Sequence, residues 1–370
     1  MKALLMSIKA GYGHHSTAKA IEGYFNENNV ECEMLDTLEY IKPIISDSVN
    51  RGYLFSTKYF PDFFGKAYEK LDKKEEPYSK MSLISILSTV VSLKLHDYIN
   101  QYAPDVIIGT HSFASMVITY LKEKGIIKCP TIGIVTDFTI HPFWESTSLD
   151  YYVLASEQLE QQAMKKGIDK KRILSTGIPV KEQFSHKISK QDARHQLGIQ
   201  DKKTILLIMG SMGFGNIIDT IECIDKVNED FQVLCVCGNN DKMRREIEKR
   251  QWNKDIIVYG FVDNVHVMMD AADFLITKPG GLTTSEALAK KLPPIIMNPI
   301  PGQEDRNQEF LVNNGAAMMV TKTFPIDEVL FELFNNNWRL GLLENCVEHL
   351  SKPHATKDLC DFVMRDLWHM

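Results

Sequence analysis

The 370-residue chain has no excess of positive charge. Its formal net charge is -6 and its isoelectric point is near 6.0. Proteins that bind nucleic acid usually show a basic patch or a positive net charge, because they must contact phosphates. The composition therefore argues against a nucleic-acid partner. With 44% hydrophobic residues, a chain of this length can fill the cores of two ordinary domains.

Long apolar runs are also absent. Residues 1–8 hold only about six apolar residues before polar ones begin, too few for the core of a signal peptide. The most apolar later stretch, MSLISILSTVVSL at 81–93, is too short and too rich in serine to cross a bilayer. We therefore expect a protein that is soluble or that binds a membrane only at its surface.

Cysteine is scarce and scattered. The seven cysteines are odd in number and show neither a disulfide framework nor the spacing of zinc ligands, which suits a reducing cytosol. Only Cys235 and Cys237 are close together, within the apolar run FQVLCVCG. A C-x-C pattern of this kind is typical of two positions on one face of a buried strand, so we expect both thiols in a core.

Short β-branched runs alternate with helical stretches along the chain, which predicts parallel sheets joined by crossover helices. One series of strands runs from residue 2 to 177, and a second begins at 204; each opens with a strand, a glycine loop and a helix. The predicted fold class is α/β, with two doubly wound Rossmann-like domains facing a central cleft. The predicted boundaries are 1–185, 186–350 and a C-terminal helix in 351–370 that packs back on the first domain.

Two helices of the first series have clear signals. In residues 16–28, Ala18, Ile21 and Phe25 fall on one helical face. The stretch 112–125 predicts a helix capped by Ser112 and closed by Gly125.

A pair of glycines precedes a predicted helix in TKPGGLTTSEALAKK, residues 277–291. The free N–H groups and the dipole of such a helix end bind an anion such as a diphosphate. The pattern is neither a Walker A loop nor G-x-G-x-x-G. Glu286 can accept hydrogen bonds from two vicinal hydroxyls, such as those of a ribose; a solvated glutamate is the alternative. The next loop, 298–310, suggests hydroxyl recognition, with a plain surface loop as the alternative.

Two glycines and two adjacent histidines follow the first strand, in SIKAGYGHHSTAKAIEGYF at 7–25. This stretch is compatible with a phosphate loop, a metal site or a turn that carries a catalytic histidine. Adjacent histidines point apart and no further ligand has the right spacing, which disfavours the metal site. Histidine is the side chain best suited to act as a base near neutral pH.

Several segments together resemble glycosyltransferase family 28, in particular its diacylglycerol glycosyltransferases: the monogalactosyldiacylglycerol synthases of plants and the processive diacylglycerol glucosyltransferases of bacteria. These segments are GYGHHSTAKAI (11–21), TDFTIHPFW (136–144), TGIPV (176–180), MGSMGFGN (209–216), YGFVDN (259–264), TKPGGLTTSEAL (277–288) and PIPGQEDRN (299–307). The resemblance implies the GT-B fold and inverting transfer of a sugar from a nucleotide diphosphate to a lipid hydroxyl. It also implies no catalytic metal ion and no cofactor, the UDP-sugar being a co-substrate.

The resemblance assigns the general base to His14 in preference to its neighbour His15. It implies that Asp137 orients His14 or favours its imidazolium form, and that His141 and Trp144 line the path of the acceptor. The alternatives are a turn-capping role for Asp137 and a core position for Trp144.

The resemblance also places the donor on small and polar residues, since small residues let the backbone approach a ligand closely. Phe261 resembles the position that holds uracil, with a buried core position as the alternative, and Gln303 and Glu304 address the sugar. The donor-binding residues implied in this way are Gly13, Gly210, Ser211, Gly213, Phe261, Gly280, Gly281, Leu282, Thr283, Thr284, Glu286, Gln303, Glu304 and Asn307.

Aromatic and lysine side chains crowd residues 40–95, among them Tyr59, Phe63, Phe64, Lys73 and Lys74. Rings at headgroup depth beside lysines suit a membrane interface that contains anionic lipids. A helical insertion with a solvated lysine face is the alternative. With this assignment, the protein is cytoplasmic and peripheral on the inner face of the cell membrane, and no obligate protein partner is inferred.

The sequence thus favours a UDP-sugar-dependent hexosyltransferase that makes a glycolipid from diacylglycerol, with glucose favoured over galactose. Three alternatives stay open: the GlcNAc transferase of the peptidoglycan lipid precursor, a non-hydrolysing UDP-sugar epimerase, and a non-catalytic UDP-sugar sensor. UDP release that depends on diacylglycerol vesicles distinguishes the first hypothesis from the epimerase and the sensor.

Overall fold

A computed structural model describes residues 1–8, 12–37, 39–40, 89–209 and 217–367. The chain divides into two compact units. The first comprises Met1–Glu182, Pro301–Gln303 and His354–Met370, and the second comprises Gln183–Ile300 and Glu304–Pro353.

Each unit contains one six-stranded parallel sheet. The strands of the first unit are β1 (Lys2–Ser7), β2 (Glu31–Asp36), β3 (Val106–Gly109), β4 (Thr131–Ile134), β5 (Tyr151–Val153) and β6 (Ile173–Leu174). Their order in the sheet is β2-β1-β3-β4-β5-β6. The strands of the second unit are β7 (Thr204–Ile208), β8 (Gln232–Val236), β9 (Asp255–Tyr259), β10 (Phe274–Thr277), β11 (Pro294–Ile296) and β12 (Met318–Met319). Their order is β12-β11-β10-β7-β8-β9, and the predicted α/β class is confirmed.

Helices connect the strands in both units, as parallel pairing requires. In chain order they are α1 (Tyr12–Glu27), α2 (Thr89–Tyr102), α3 (Ser112–Glu123), α4 (Glu160–Lys165), α5 (Lys190–Leu197), α6 (Ile217–Ile224), α7 (Asp241–Glu248), α8 (Val265–Ala271), α9 (Gly281–Ala289), α10 (Gln303–Asn313), α11 (Ile326–Asn335), α12 (Asn337–Leu350) and α13 (Ala355–Phe362). Short 3₁₀ turns lie at Pro142–Ser146, Glu157–Leu159, Lys170–Arg172 and Glu182–Phe184, and a π turn at Val363–Leu367 follows α13.

The core of the first unit is built on one face of α1. Ala18, Ile21 and Phe25 are fully buried against the strands, as their spacing predicts. Leu359 of α13 and Val363 of the following turn join the same cluster. The C-terminal segment therefore packs into the core of the first unit.

α1 begins earlier than the apolar pattern indicates. Its first residue is Tyr12, so Gly13, His14 and His15 lie in the first helical turn. The buried face begins only around Ala18, and an apolar pattern cannot reveal a first turn made of glycine and histidine. The helix, instead of a preceding loop, therefore positions both histidines.

The predicted cap of α3 is wrong by one residue. The N-cap is His111, whose Nδ1 accepts a hydrogen bond from the Phe113 N–H at 3.0 Å, and Ser112 is the first helical residue. The end of this helix is as expected, since Gly125 adopts a left-handed conformation with φ 71°.

A glycine in β4 makes room for an indole. A Cβ atom at Gly133 would lie 2.6 Å from a Leu149 methyl and 2.7 Å from the Trp144 ring. Trp144 is only 4% exposed and meets the Tyr152 ring edge-on, with centroids 6.2 Å apart. These contacts are those of a core side chain, the second of the two alternatives that the sequence left open for Trp144.

The second unit buries two kinds of unusual side chain. Cys235 and Cys237 lie in its core with their sulfurs 3.9 Å apart, as the C-x-C pattern predicts. All seven cysteines are free.

A buried ion pair is the second feature. Lys290, which follows α9, donates to Asp270 of α8 at 2.7 Å and to the carbonyl of His186. The lysine and aspartate side chains are 1% and 2% exposed. This ion pair ties the C-terminal end of α9 to α8.

In the described parts of the chain, no helix combines the length and apolar character needed to cross a membrane. Within those same residues, no group of three or more His, Cys, Asp or Glu side chains is arranged to hold a metal ion.

Candidate active site

Three connections meet at one edge of the first sheet. β1, β3 and β4 are neighbours and run parallel, so the residues that follow them lie at the same carboxyl edge. α1 with His14 follows β1, Thr110 and His111 follow β3, and Thr136 and Asp137 follow β4. Because β2 and β3 flank β1 on opposite sides, this edge is also a topological switch point, where ligands of doubly wound sheets bind.

Two hydrogen-bond contacts fix the tautomer of His14. Its Nδ1 lies 3.0 Å from the carbonyl oxygen of Thr110 and 2.7 Å from the Thr136 hydroxyl. A carbonyl oxygen can only accept, so Nδ1 carries the proton in the neutral ring. Nε2 then carries the free lone pair, so it is the ring nitrogen that can accept a proton.

The surroundings of His14 keep this base neutral. Burial lowers the pKa of His14 below its ordinary 6.5, and this effect outweighs the opposing influence of the Asp137 charge and the Thr110 hydrogen bond. A lowered pKa means that the imidazole is mainly unprotonated at neutral pH. His14 is therefore ready to accept a proton.

His111 was not singled out by the sequence, although it lies beside His14. The two rings meet edge-to-face, with centroids 4.5 Å apart and planes at 80°. Burial, with smaller contributions from His14 and His141, lowers the pKa of His111 well below its ordinary value. The signal that could have found it is the polar pair Thr110-His111 directly after the buried strand β3.

His141 repeats the capping geometry of His111. It is the N-cap of the 3₁₀ turn Pro142–Ser146, and its Nδ1 accepts from the Phe143 N–H at 3.1 Å. Asp137, four residues earlier, accepts a hydrogen bond from the side-chain amide of Gln303, which belongs to the same unit. The connection after β4 therefore holds both a carboxylate and a histidine that caps a turn.

The start of α9 forms the main feature of the second unit. Gly280 is the N-cap, and as a glycine it has no side chain with which to cap this end. The first bond of the helical ladder joins the Thr284 N–H to the Gly280 carbonyl at 3.1 Å, so the N–H groups of Gly281, Leu282 and Thr283 precede the ladder. These donors and the positive end of the helix dipole can bind an anion.

Two polar side chains of α10 brace the loops around this helix end. Asn307 is fully buried and donates to the Pro279 carbonyl at 3.0 Å. A carboxylate oxygen of Glu304 accepts from the Ile300 N–H at 2.7 Å. Burial lowers the pKa of Lys278, and the Glu304 charge partly opposes this shift. Asn307 thus acts on the site through the loop that it holds.

An exposed aromatic ring follows β9, an edge strand of the second sheet. Phe261, which follows β9, is 69% exposed, and this excludes the buried-core alternative. A Cβ atom on the preceding Gly260 would lie 3.2 Å from the Arg244 guanidinium, a neighbour that the sequence pattern did not reveal. Glu286 lies within α9 and is partly exposed.

Some predicted site residues lie outside the described residues, so their roles stay predictions. They are Gly210, Ser211 and Gly213 of the donor loop and Tyr59, Phe63, Phe64, Lys73 and Lys74 of the acceptor region.

Two α/β units, each built on a parallel sheet, are the architecture of the GT-B class. MurG of Acinetobacter baumannii aligns over 98% of this chain and 99% of its own, with a TM-score of 0.58 and 14% identity. The S. aureus MnaA-UDP structure aligns over 100% and 97%, with a TM-score of 0.61 and 13% identity. At such identities the likeness concerns the fold alone.

Sequence comparison gives the family. Residues 14–180 match the monogalactosyldiacylglycerol (MGDG) synthase model, and residues 204–339 match the glycosyltransferase family 28 C-terminal domain. A processive diacylglycerol beta-glucosyltransferase from Bacillus cytotoxicus is 27% identical over 371 residues, covering 99% of this chain and 94% of the relative. The chain thus carries an MGDG synthase match followed by a glycosyltransferase family 28 C-terminal domain, and it is a glycosyltransferase.

Proposed function

We propose that this enzyme transfers glucose from UDP-glucose to the hydroxyl of diacylglycerol and inverts the anomeric carbon. Support for the acceptor comes from the MGDG synthase match and from the relative named a processive diacylglycerol beta-glucosyltransferase. That relative's name also favours glucose over galactose. The observation that carries the mechanism is the hydrogen bond between His14 Nδ1 and the Thr110 carbonyl, because it leaves Nε2 as the basic atom.

His14 is the general base in this proposal. An alcohol is far too weakly acidic to ionise at neutral pH, so its proton must leave as its oxygen bonds to the sugar. Nε2 takes that proton, and the ring becomes an imidazolium. The negative charge of Asp137 favours this charged form, since it raises the pKa of His14.

The second unit holds the donor in this proposal. The diphosphate lies on the N–H groups at the start of α9, and the helix dipole offsets the charge that develops on the departing UDP. Glu286 accepts hydrogen bonds from the ribose, and Phe261 contacts uracil. Gln303 and Glu304 address the sugar, while Asn307 keeps the glycine loop in place. A catalytic metal ion has no step in this mechanism, so we expect activity to survive a chelator.

The proposed location is the inner face of the cell membrane, because the acceptor is a lipid. Residues 40–95 supply aromatic and lysine side chains that suit contact with anionic lipids. Sedimentation with anionic vesicles that weakens at high salt would support this location, since screening removes the attraction of lysines.

One experiment tests the reaction and the base together. Purified enzyme is incubated with UDP-glucose, UDP-galactose or UDP-GlcNAc and diacylglycerol vesicles, and the products are identified by mass. We expect glucosyl lipids from UDP-glucose, and a loss of about 10²–10⁴ in turnover for His14→Ala with unchanged UDP affinity.

The neighbouring variant His15→Ala is the matched control and should be much milder. Sugar isomerisation without lipid would instead indicate an epimerase, and GlcNAc transfer would indicate a different donor sugar. Normal turnover of both histidine variants would refute the proposed base.

A further inference from the structure

We propose that His111 is a positioning residue that holds the ring of His14 and shields it from water. The inference rests on the proposed role of His14 as the base. It concerns a side chain to which neither the sequence motifs nor the family resemblance gives a role.

The backbone around His111 is firmly anchored. The Thr110 N–H donates to the Met6 carbonyl of β1 at 3.1 Å, and the Thr110 hydroxyl donates to Ser7 Oγ at 3.0 Å. A Cβ atom at Gly109 would lie 2.7 Å from Ser115 Oγ, so α3 packs tightly on the end of β3. The connection from β3 to α3 is therefore a rigid support on which His14 rests.

His111 has a fixed protonation state. Its Nδ1 accepts the Phe113 N–H at the start of α3, so the neutral ring carries its proton on Nε2. The start of a helix also disfavours a positive charge. His111 thus stays neutral while His14 gains and loses its proton, and it holds the tautomer opposite to that of His14.

Thr110 and His111, which are adjacent in the chain, each contact His14. The Thr110 carbonyl binds Nδ1 at 3.0 Å, and the His111 ring packs edge-to-face at 4.5 Å between centroids. The other groups recorded around His14 are the Thr136 hydroxyl and the Asp137 charge from the connection after β4. Of these neighbours, only His111 contributes an aromatic wall, which limits both rotation of the ring and access of water.

The test separates the ring of His111 from its capping role. His111→Asn keeps an efficient N-cap but removes the ring, whereas His111→Ala removes both. His195→Asn, which changes an exposed histidine of α5, is the control. In the full-length protein with ¹⁵N-labelled histidine, NMR gives the pKa and the tautomer of His14, and His14→Gln identifies its signals.

We expect the pKa of His14 to rise toward its ordinary value in His111→Asn, because water reaches the ring. The acid limb of the kcat profile should move to higher pH, and kcat should fall about 10- to 100-fold with an unchanged KM for the UDP-sugar, as expected when a catalytic group is misplaced. His111→Ala should show the same shift of the His14 pKa with an added loss of stability.

An unchanged His14 titration and tautomer in folded His111→Asn would overturn the inference, and so would an unchanged kcat. If the wild-type protein transfers no sugar, the proposed function fails, yet the NMR titration still decides whether His111 controls His14.

Discussion

Replacing Lys290 by methionine should strongly destabilise the second unit. The change removes the ammonium that contacts Asp270 and leaves a carboxylate that is only 2% exposed. The other oxygen of this carboxylate is buried with no hydrogen-bond partner among the described residues. Breaking a buried ion pair by removing one partner costs about 3–5 kcal/mol. In a unit of 150–250 residues, 1 kcal/mol lowers the melting temperature by about 2–4 °C, so we expect a fall of about 6–20 °C.

The neighbouring lysine provides a matched control. Lys291 pairs with Glu348 at 2.5 Å, but the two side chains are 45% and 62% exposed, so Lys291→Met should cost no more than about 1 kcal/mol. The double change Lys290→Met with Asp270→Leu should recover most of the lost stability, because an apolar pair needs no charge partner. The assay is thermal unfolding followed by circular dichroism. Equal melting temperatures for Lys290→Met and Lys291→Met would refute the reasoning.

Three further predictions concern the candidate site. Asn307→Ala should lower stability by about 1–3 kcal/mol and weaken UDP binding, since it leaves the buried Pro279 carbonyl without its donor; unfolding and calorimetry measure both, and native values would contradict the bracing role. Asp137→Asn should move the acid limb of the pH–rate profile to lower pH, because the Asp137 charge raises the pKa of His14 and its loss lowers that pKa; a shift to higher pH would contradict this sign. Glu286→Ala should weaken UDP binding by about 1.5–3 kcal/mol per lost charge-assisted bond, and unchanged affinity in calorimetry would remove Glu286 from the donor site.

Local sequence patterns predict most of the fold. Apolar β-branched runs mark the strands because parallel strands are buried on both faces. β12, with only Met318–Met319, is missed because two residues carry no pattern. The start of α1 is missed for a similar reason, since glycine and histidine in its first turn show no apolar spacing.

The site is predictable only in part. The glycine and histidine pattern after the first strand indicates a catalytic turn at 11–15, whereas the choice of His14 and the role of Asp137 come from the family resemblance. The roles of His111 and Thr110 depend on the contact of β3 with β1, between residues about a hundred positions apart. The tautomer of a histidine depends on its hydrogen-bond partners, and no spacing rule predicts them.

Gly133 and Gly280 are glycines for two different reasons. At Gly133 the fold itself forbids a methyl group, because the Trp144 ring occupies that space. Gly280 has φ -73°, which suits every residue, and the nearest atom to an added Cβ would be Glu304 Oε1 at 3.9 Å. Folding places no demand on position 280, so alanine there should leave the architecture intact while covering the bare backbone beside the helix end to which we assign the diphosphate. A single methyl group at this position would thus affect the proposed donor site while leaving the fold unchanged.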